Sequence, residues 1–156
     1  MREFPHHYAA VATGGPDGDI QLDSGRLAAL RSAAPAEFDG PGDRWSPETL
    51  MTAAVADCFV LTFRGIARFS QLPWLALRCE ASGTLDRVDR VTQFTAFSLR
   101  ASLRVPAGTN VDQARRLLAR AEEGCLISRS LKAHVQLVAD VVVDREAYVA
   151  GVVPAA

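Results

Sequence analysis

The sequence predicts an α+β fold, an antiparallel sheet packed on helices, and three observations carry that reading. Period-two apolar stretches flank a long apolar helical segment, a second helix carries an apolar stripe, and turn residues separate the elements. The order is strands, helix, two strands, helix, strand. A chain of 156 residues has the size of one domain, and a single domain over residues 1–156 is expected.

Short strands are expected at residues 8–12, 20–22 and 27–31, the first two joined by the turn Gly-Gly-Pro-Asp-Gly at 14–18. Residues 35–45 are rich in chain breakers and read as a loop. Ser46-Pro47-Glu48 then opens a helix. Ser46 can accept a hydrogen bond from an orphan amide, Pro47 at the first helical position has no amide to leave unpaired, and Glu48 complements the positive end of the helix dipole. Residues 50–63 are apolar on nearly every side, so this helix, which runs to about Phe69, is expected to be buried all round. The apolar stretch holds about fourteen residues and includes Asp57, too short and too charged to span a bilayer.

Beyond Pro73, Leu75, Leu77, Cys79 and Ala81 share one parity and Arg78 and Glu80 the other, a half-buried strand. A turn near residues 86–89 leads to a second strand, in which Leu99 and Leu103 alternate with Arg100 and Arg104 until Pro106. Asn110 or Asp112 begins a second helix with Ala114, Leu117, Leu118 and Ala121 as its apolar stripe, and Gly124 ends it in the C′ position. After a short polar turn, residues 135–143 form the last strand. A helix apolar on every face needs cover on every side, which one modest sheet cannot give, so a homodimer pairing two such helices is expected.

Apolar residues make up 49% of the chain, enough for a sizeable core. Lys plus Arg is 17 against 18 Asp plus Glu, with no basic cluster, so neither nucleic acid nor a membrane surface is an expected partner. The first ten residues hold no apolar run of a secretory signal, and three cysteines are no disulfide framework. A reducing, cytoplasmic location is expected.

Among the cysteines, Cys79 reads as a small buried hydrophobe on its strand face. Cys58 lies in the middle of the apolar helix. Cys125 follows a helix-ending glycine, with Ser128, Arg129 and Lys132 downstream, a setting in which a thiol is accessible and cations favour its thiolate. His6, His7 and His134 have no partners at ligand spacing, so no metal is expected. No motif supports a Cys-His protease.

The stretch Ser-Pro-Glu-Thr-Leu-Met-Thr-Ala-Ala-Val-Ala-Asp-Cys-Phe at residues 46–59 resembles the helix of the osmotically inducible protein C and organic hydroperoxide resistance (OsmC/Ohr) family. Ala-Glu-Glu-Gly-Cys-Leu-Ile-Ser at 121–128 resembles the second cysteine motif of that family. The resemblance implies an intertwined homodimer, with antiparallel sheets wrapped around long central helices. It implies a cysteine-based peroxidase acting on organic hydroperoxides, with Cys58 the attacking thiol and Cys125 the resolving one. A dithiol such as dihydrolipoamide would reduce the resulting disulfide, and no metal or organic cofactor is implied.

In that family an Arg held by the Glu of the Pro-Glu motif, here Glu48, activates the thiol. Glu48 and Cys58 are ten residues apart, about 15 Å along one helix, so a shared site would combine Glu48 of one subunit with Cys58 of the other. The two positions where the family carries its Arg hold Pro16 and Glu37, and Leu126 replaces the Pro after the second cysteine. Arg26, Arg31 and Arg44 are the remaining candidate cations, each also readable as a surface residue. Two alternatives stand beside the enzyme: a non-catalytic dimer that binds a small apolar ligand or senses oxidants, and a structural dimer in which both cysteines only pack.

Overall fold

The computed structural model describes residues 3–148, which divide into two compact units, one ending at Met51 and one beginning at Thr52. In the first, β1 (Val11–Thr13), β2 (Ile20–Asp23) and β3 (Leu30–Ser32) form an antiparallel sheet in chain order. Two of these strands are shorter and later than the sequence predicts. The four-residue β2 sits between them, and each neighbour pairs with only three of its residues. A single 3-10 turn, Ala36–Phe38, follows within the predicted loop.

Helix α1 (Pro47–Phe69) starts where the Ser-Pro-Glu signal predicts. Ser46 Oγ accepts the Thr49 amide at 3.2 Å, and Thr49 Oγ1 accepts the Ser46 amide at 2.8 Å. This is a capping box with threonine in the place of Glu or Gln. Within the single chain, Val55, Phe59, Phe63 and Ala67 form one buried stripe, while Met51, Leu61 and Phe69 are exposed, Phe69 at 92%. Each four-residue step advances about 40° around a helix, so the stripe winds slowly along α1 and the remaining faces stay open within the chain. By length and composition α1 is the one helix among the described residues that is apolar enough to cross a membrane. Its buried stripe belongs to the core of the second unit.

Strands β4 (Ala76–Val88) and β5 (Val91–Ala107) form a long antiparallel hairpin. Its turn is Asp89-Arg90, both at positive φ (50° and 69°), the two-residue geometry whose twist matches that of the strands. Helix α2 (Val111–Glu123) is capped by Asn110, whose Oδ1 accepts the Gln113 amide at 2.9 Å, and it buries the predicted stripe Ala114, Leu117, Leu118 and Ala121. A further short helix, α3 (Leu126–Ser130), occupies what the sequence reads as a turn. The last strand, β6 (His134–Tyr148), is longer than predicted and runs parallel to β5, so the sheet β4-β5-β6 is mixed. Apolar alternation carries no information on direction; the crossover through α2 and α3 permits a parallel return.

Gly124 differs from the expected left-handed cap. Its φ is −91°, and a Cβ there would lie 3.1 Å from Arg120 O and 3.6 Å from Thr62 Cγ2. The tight contact is with the Arg120 carbonyl of α2 itself, while Thr62 of α1 lies at ordinary van der Waals distance.

Candidate functional site

The end of α2 and the start of α3 meet α1 beside two cysteines. Cys58 lies at the middle of α1, next to the buried Phe59, and its Sγ is 4.0 Å from Thr62 Oγ1 one turn on. Across from it, Cys125 is the N-cap residue of α3 and is fully buried. The Cys125 side chain lies within hydrogen-bonding reach of Cys58. The backbone amide of Ile127, in the first turn of α3, donates to Cys58 Sγ at 3.5 Å. An amide aimed at a sulfur stabilises negative charge developing there.

Burial, above all, pushes the Cys125 thiol up, and the hydrogen bond and charge of Cys58 push the same way. The hydroxyl and amide of Ser128 face the Cys125 sulfur and pull it down, without reversing the shift. Ser128 Oγ is buried and makes no hydrogen bond of regular geometry, so its influence on Cys125 is one of proximity. Cys125 therefore holds its proton beyond the ordinary thiol range.

Cys79 adds a third thiol. It is half-buried on β4 against the core and is pushed up to about 11, by burial first and then by the charge of Cys125 and of Glu80. The reading of Cys79 as a packing residue fits its contacts.

Glu48 stands in the first turn of α1, ten residues before Cys58 in the sequence. In the first unit it lines an apolar cavity of about 550 Å³ with Ile20, Leu22, Pro35, Phe38 and Leu50, its Oε2 turned away from solvent. Two of the candidate cations are held by carboxylates of the same unit. Arg44 Nε is 3.1 Å from Asp19 and its Nη1 2.9 Å from Asp43, while Arg31 is 3.5 Å from Asp19. Asp19, foremost, holds the Arg44 guanidinium protonated. Arg26 is exposed. Among the described residues, no group of three or more His, Cys, Asp or Glu side chains is arranged to hold a metal ion.

The sequence pointed to Cys58 and Cys125, and the structure sets them side by side. It did not point to Thr62 or to the Ile127 amide, because a backbone donor has no residue signature. The one available signal was the glycine that ends α2 just before Cys125.

Residues 40–139 match the sequence profile of the OsmC-like protein family. The uncharacterized protein YmaD of Bacillus subtilis (strain 168) is 28% identical over 136 residues, covering 85% of this chain and 90% of that protein. An OsmC-like protein of unknown function from Vibrio cholerae aligns with a TM-score of 0.77 at 18% identity, over 88% of this chain and all (100%) of that one. An organic hydroperoxide resistance protein OsmC from Legionella pneumophila aligns with a TM-score of 0.69 at 26% identity, over 89% of this chain and 98% of that one.

Proposed function

We propose that this chain, which belongs to the OsmC-like protein family, is a thiol-dependent peroxidase that reduces organic hydroperoxides through Cys58 and Cys125. The observation that carries the reading is the pairing of the two thiols, with the Ile127 amide donating to Cys58 Sγ. The Legionella pneumophila relative named for organic hydroperoxide resistance supports it further.

In this reaction the Cys58 thiolate attacks the terminal peroxide oxygen. An S–O bond forms, the O–O bond breaks, and the departing alkoxide takes a proton to leave as the alcohol. Cys58 is left as a sulfenic acid. Cys125 then attacks the Cys58 sulfur, an S–S bond forms, and hydroxide leaves with the Cys125 proton as water. A dithiol of the dihydrolipoamide type restores both thiols and becomes a disulfide itself. The elevated Cys125 thiol suits this order, because it stays protonated until the sulfenic acid has formed.

Leu61, one turn from Cys58 on α1 and exposed within the chain, favours alkyl and aryl peroxides, since apolar burial stabilises by about 25 cal/mol per Å². The exposed Met51, Leu61 and Phe69 on α1 support a homodimer built on that helix. In such a dimer Glu48 of one copy would stand near the thiol pair of the other. A cytoplasmic location, where thiols are kept reduced, belongs to the same reading.

The carboxylate pairing of Arg31 and Arg44 favours a second reading, a non-catalytic dimer that binds an apolar ligand or senses oxidants. One assay separates the two. Cumene hydroperoxide and hydrogen peroxide are offered with dihydrolipoamide to the wild type and to Cys58→Ser. Fast loss of the organic peroxide that vanishes in the variant is the expected result; turnover at the variant's level would reject the peroxidase.

A further inference from the structure

Negative charge on the Cys58 sulfur needs donors around it before the thiol can attack. The two positions where the OsmC/Ohr family carries its Arg hold Pro16 and Glu37, and Arg31 and Arg44 are paired with carboxylates of the first unit. Besides Cys125, two neutral groups of the second unit meet the sulfur. The Ile127 amide lies 3.5 Å from Cys58 Sγ, and the Thr62 hydroxyl lies 4.0 Å from it.

Thr62 follows Cys58 by four residues on α1, which sets the two side chains one turn apart on the same face. Both are half-buried. Branching at Cβ leaves a threonine few side-chain orientations in a helix, and here each branch has its own neighbour. The methyl faces the end of α2, where a Cβ added at Gly124 would lie 3.6 Å from Thr62 Cγ2. The hydroxyl faces the sulfur. While Cys58 carries its proton, either atom of the pair can donate. A thiolate has no proton to give, so the hydroxyl becomes the donor. Hydrogen bonds to a charged acceptor are shorter and about twice as strong as neutral ones. The contact therefore favours the ionised sulfur over the protonated one.

We propose that Thr62 is a further catalytic residue, whose hydroxyl donates to the Cys58 thiolate and, with the Ile127 amide, stabilises it in the place of a cation. The proposal deepens the peroxidase reading and rests on it for Cys58 as the attacking thiol. No covalent bond to Thr62 forms or breaks, and the hydroxyl keeps its proton throughout. As the S–O bond forms, charge passes from the sulfur to the departing alkoxide, and the hydrogen bond relaxes to its neutral form. Stabilising a thiolate also blunts it. A tenfold gain in its population lowers its intrinsic reactivity about threefold, which leaves a net gain of about threefold wherever the thiolate is the minor form. A hundredfold gain leaves about tenfold by the same relation.

Three variants of the full chain test this. Thr62→Val keeps the branched shape and the methyl beside Gly124 but has no hydroxyl. Thr62→Ser keeps the hydroxyl, and Thr62→Ala is a second variant without one. Iodoacetamide labelling of Cys58 is followed at about pH 6, below the ordinary thiol value of about 8.5, and read from the tryptic peptide 45–64. Consumption of cumene hydroperoxide with dihydrolipoamide is followed in parallel. Thr62→Val and Thr62→Ala should slow both reactions about three- to tenfold, while Thr62→Ser stays within about twofold of the wild type. Labelling of Thr62→Val or Thr62→Ala at the wild-type rate, or an equal loss in Thr62→Ser, would overturn the proposal. A wild type that labels but consumes no peroxide would instead reject the underlying peroxidase, and the labelling rates would still decide whether Thr62 holds the thiolate.

Discussion

Replacing Leu126 by proline should raise the thermal midpoint of the protein. Leu126 opens α3, a position where the fixed φ of proline suits the helix and an amide has no partner within it. The residue before it, Cys125, sits at φ −65° and ψ 114°, the extended region that a residue preceding proline prefers. Leu126 is 68% exposed, so only about a third of its burial is at stake. Full burial of a leucine is worth about 1.5–3 kcal/mol, which puts that share at about 0.5–1 kcal/mol, and the carbons of the proline ring retain most of it. Restricting the unfolded chain contributes about 0.4–1 kcal/mol. The net gain is about 0.3–0.7 kcal/mol, or about 1–3 °C for a chain of this size. Differential scanning calorimetry of both forms at one protein concentration reads it directly. A drop in the midpoint would refute the reasoning, because it would mean that the Leu126 amide has a partner or that the turn ahead of α3 is not extended.

Other consequences are open to measurement. A Cβ added at Gly83 would lie 2.7 Å from both Phe94 Cε1 and Phe97 Cε1, two rings stacked at 4.8 Å, so Gly83→Ala should cost about 1–3 kcal/mol in urea unfolding. Phe63 is fully buried and meets Trp74 edge-on at 5.5 Å, and Phe63→Ala should cost about 3–5 kcal/mol by the same assay. Cys79, pushed up to about 11, should be alkylated by iodoacetamide slowly near neutral pH, with the rate still climbing above the range of an ordinary thiol. The folded state holds this proton longer than the unfolded chain, whose thiols ionise near about 8.5. Its contribution to stability is therefore complete below that pH and declines as pH rises towards 11; Cys125, also raised, adds to the decline. Urea unfolding of Cys79→Ala across that range should show a shallower loss, and an unchanged slope would count against the elevated thiol.

Local chemistry made much of the fold legible. The Ser46-Pro47 start, the Asn110 cap and the α2 stripe each depend on neighbours a few residues away, and each stands as read. What was not legible depends on distant partners. Parity in residues 134–148 marks a strand but not its direction, and the partial exposure of α1 follows from how many surfaces cover it. The thiol pair was legible as two motifs; the amide of Ile127 was not, because it arises from two helices distant in sequence meeting at one sulfur.

The parallel pairing of β5 with β6 also imposes an order of assembly. Cys58 meets the Ile127 amide across 69 residues of chain, and that contact waits for a crossover helix and a non-local strand pairing, which are slow to form. In synthesis from the N-terminus, α1 emerges with a single cysteine well before the residues that partner it. A Cys58 oxidised in that interval finds no second thiol at hand, and its sulfenic acid can proceed to the irreversible sulfinic state. On the proposed peroxidase function, the nascent chain would be exposed at its attacking thiol to the same oxidants that the finished fold would reduce.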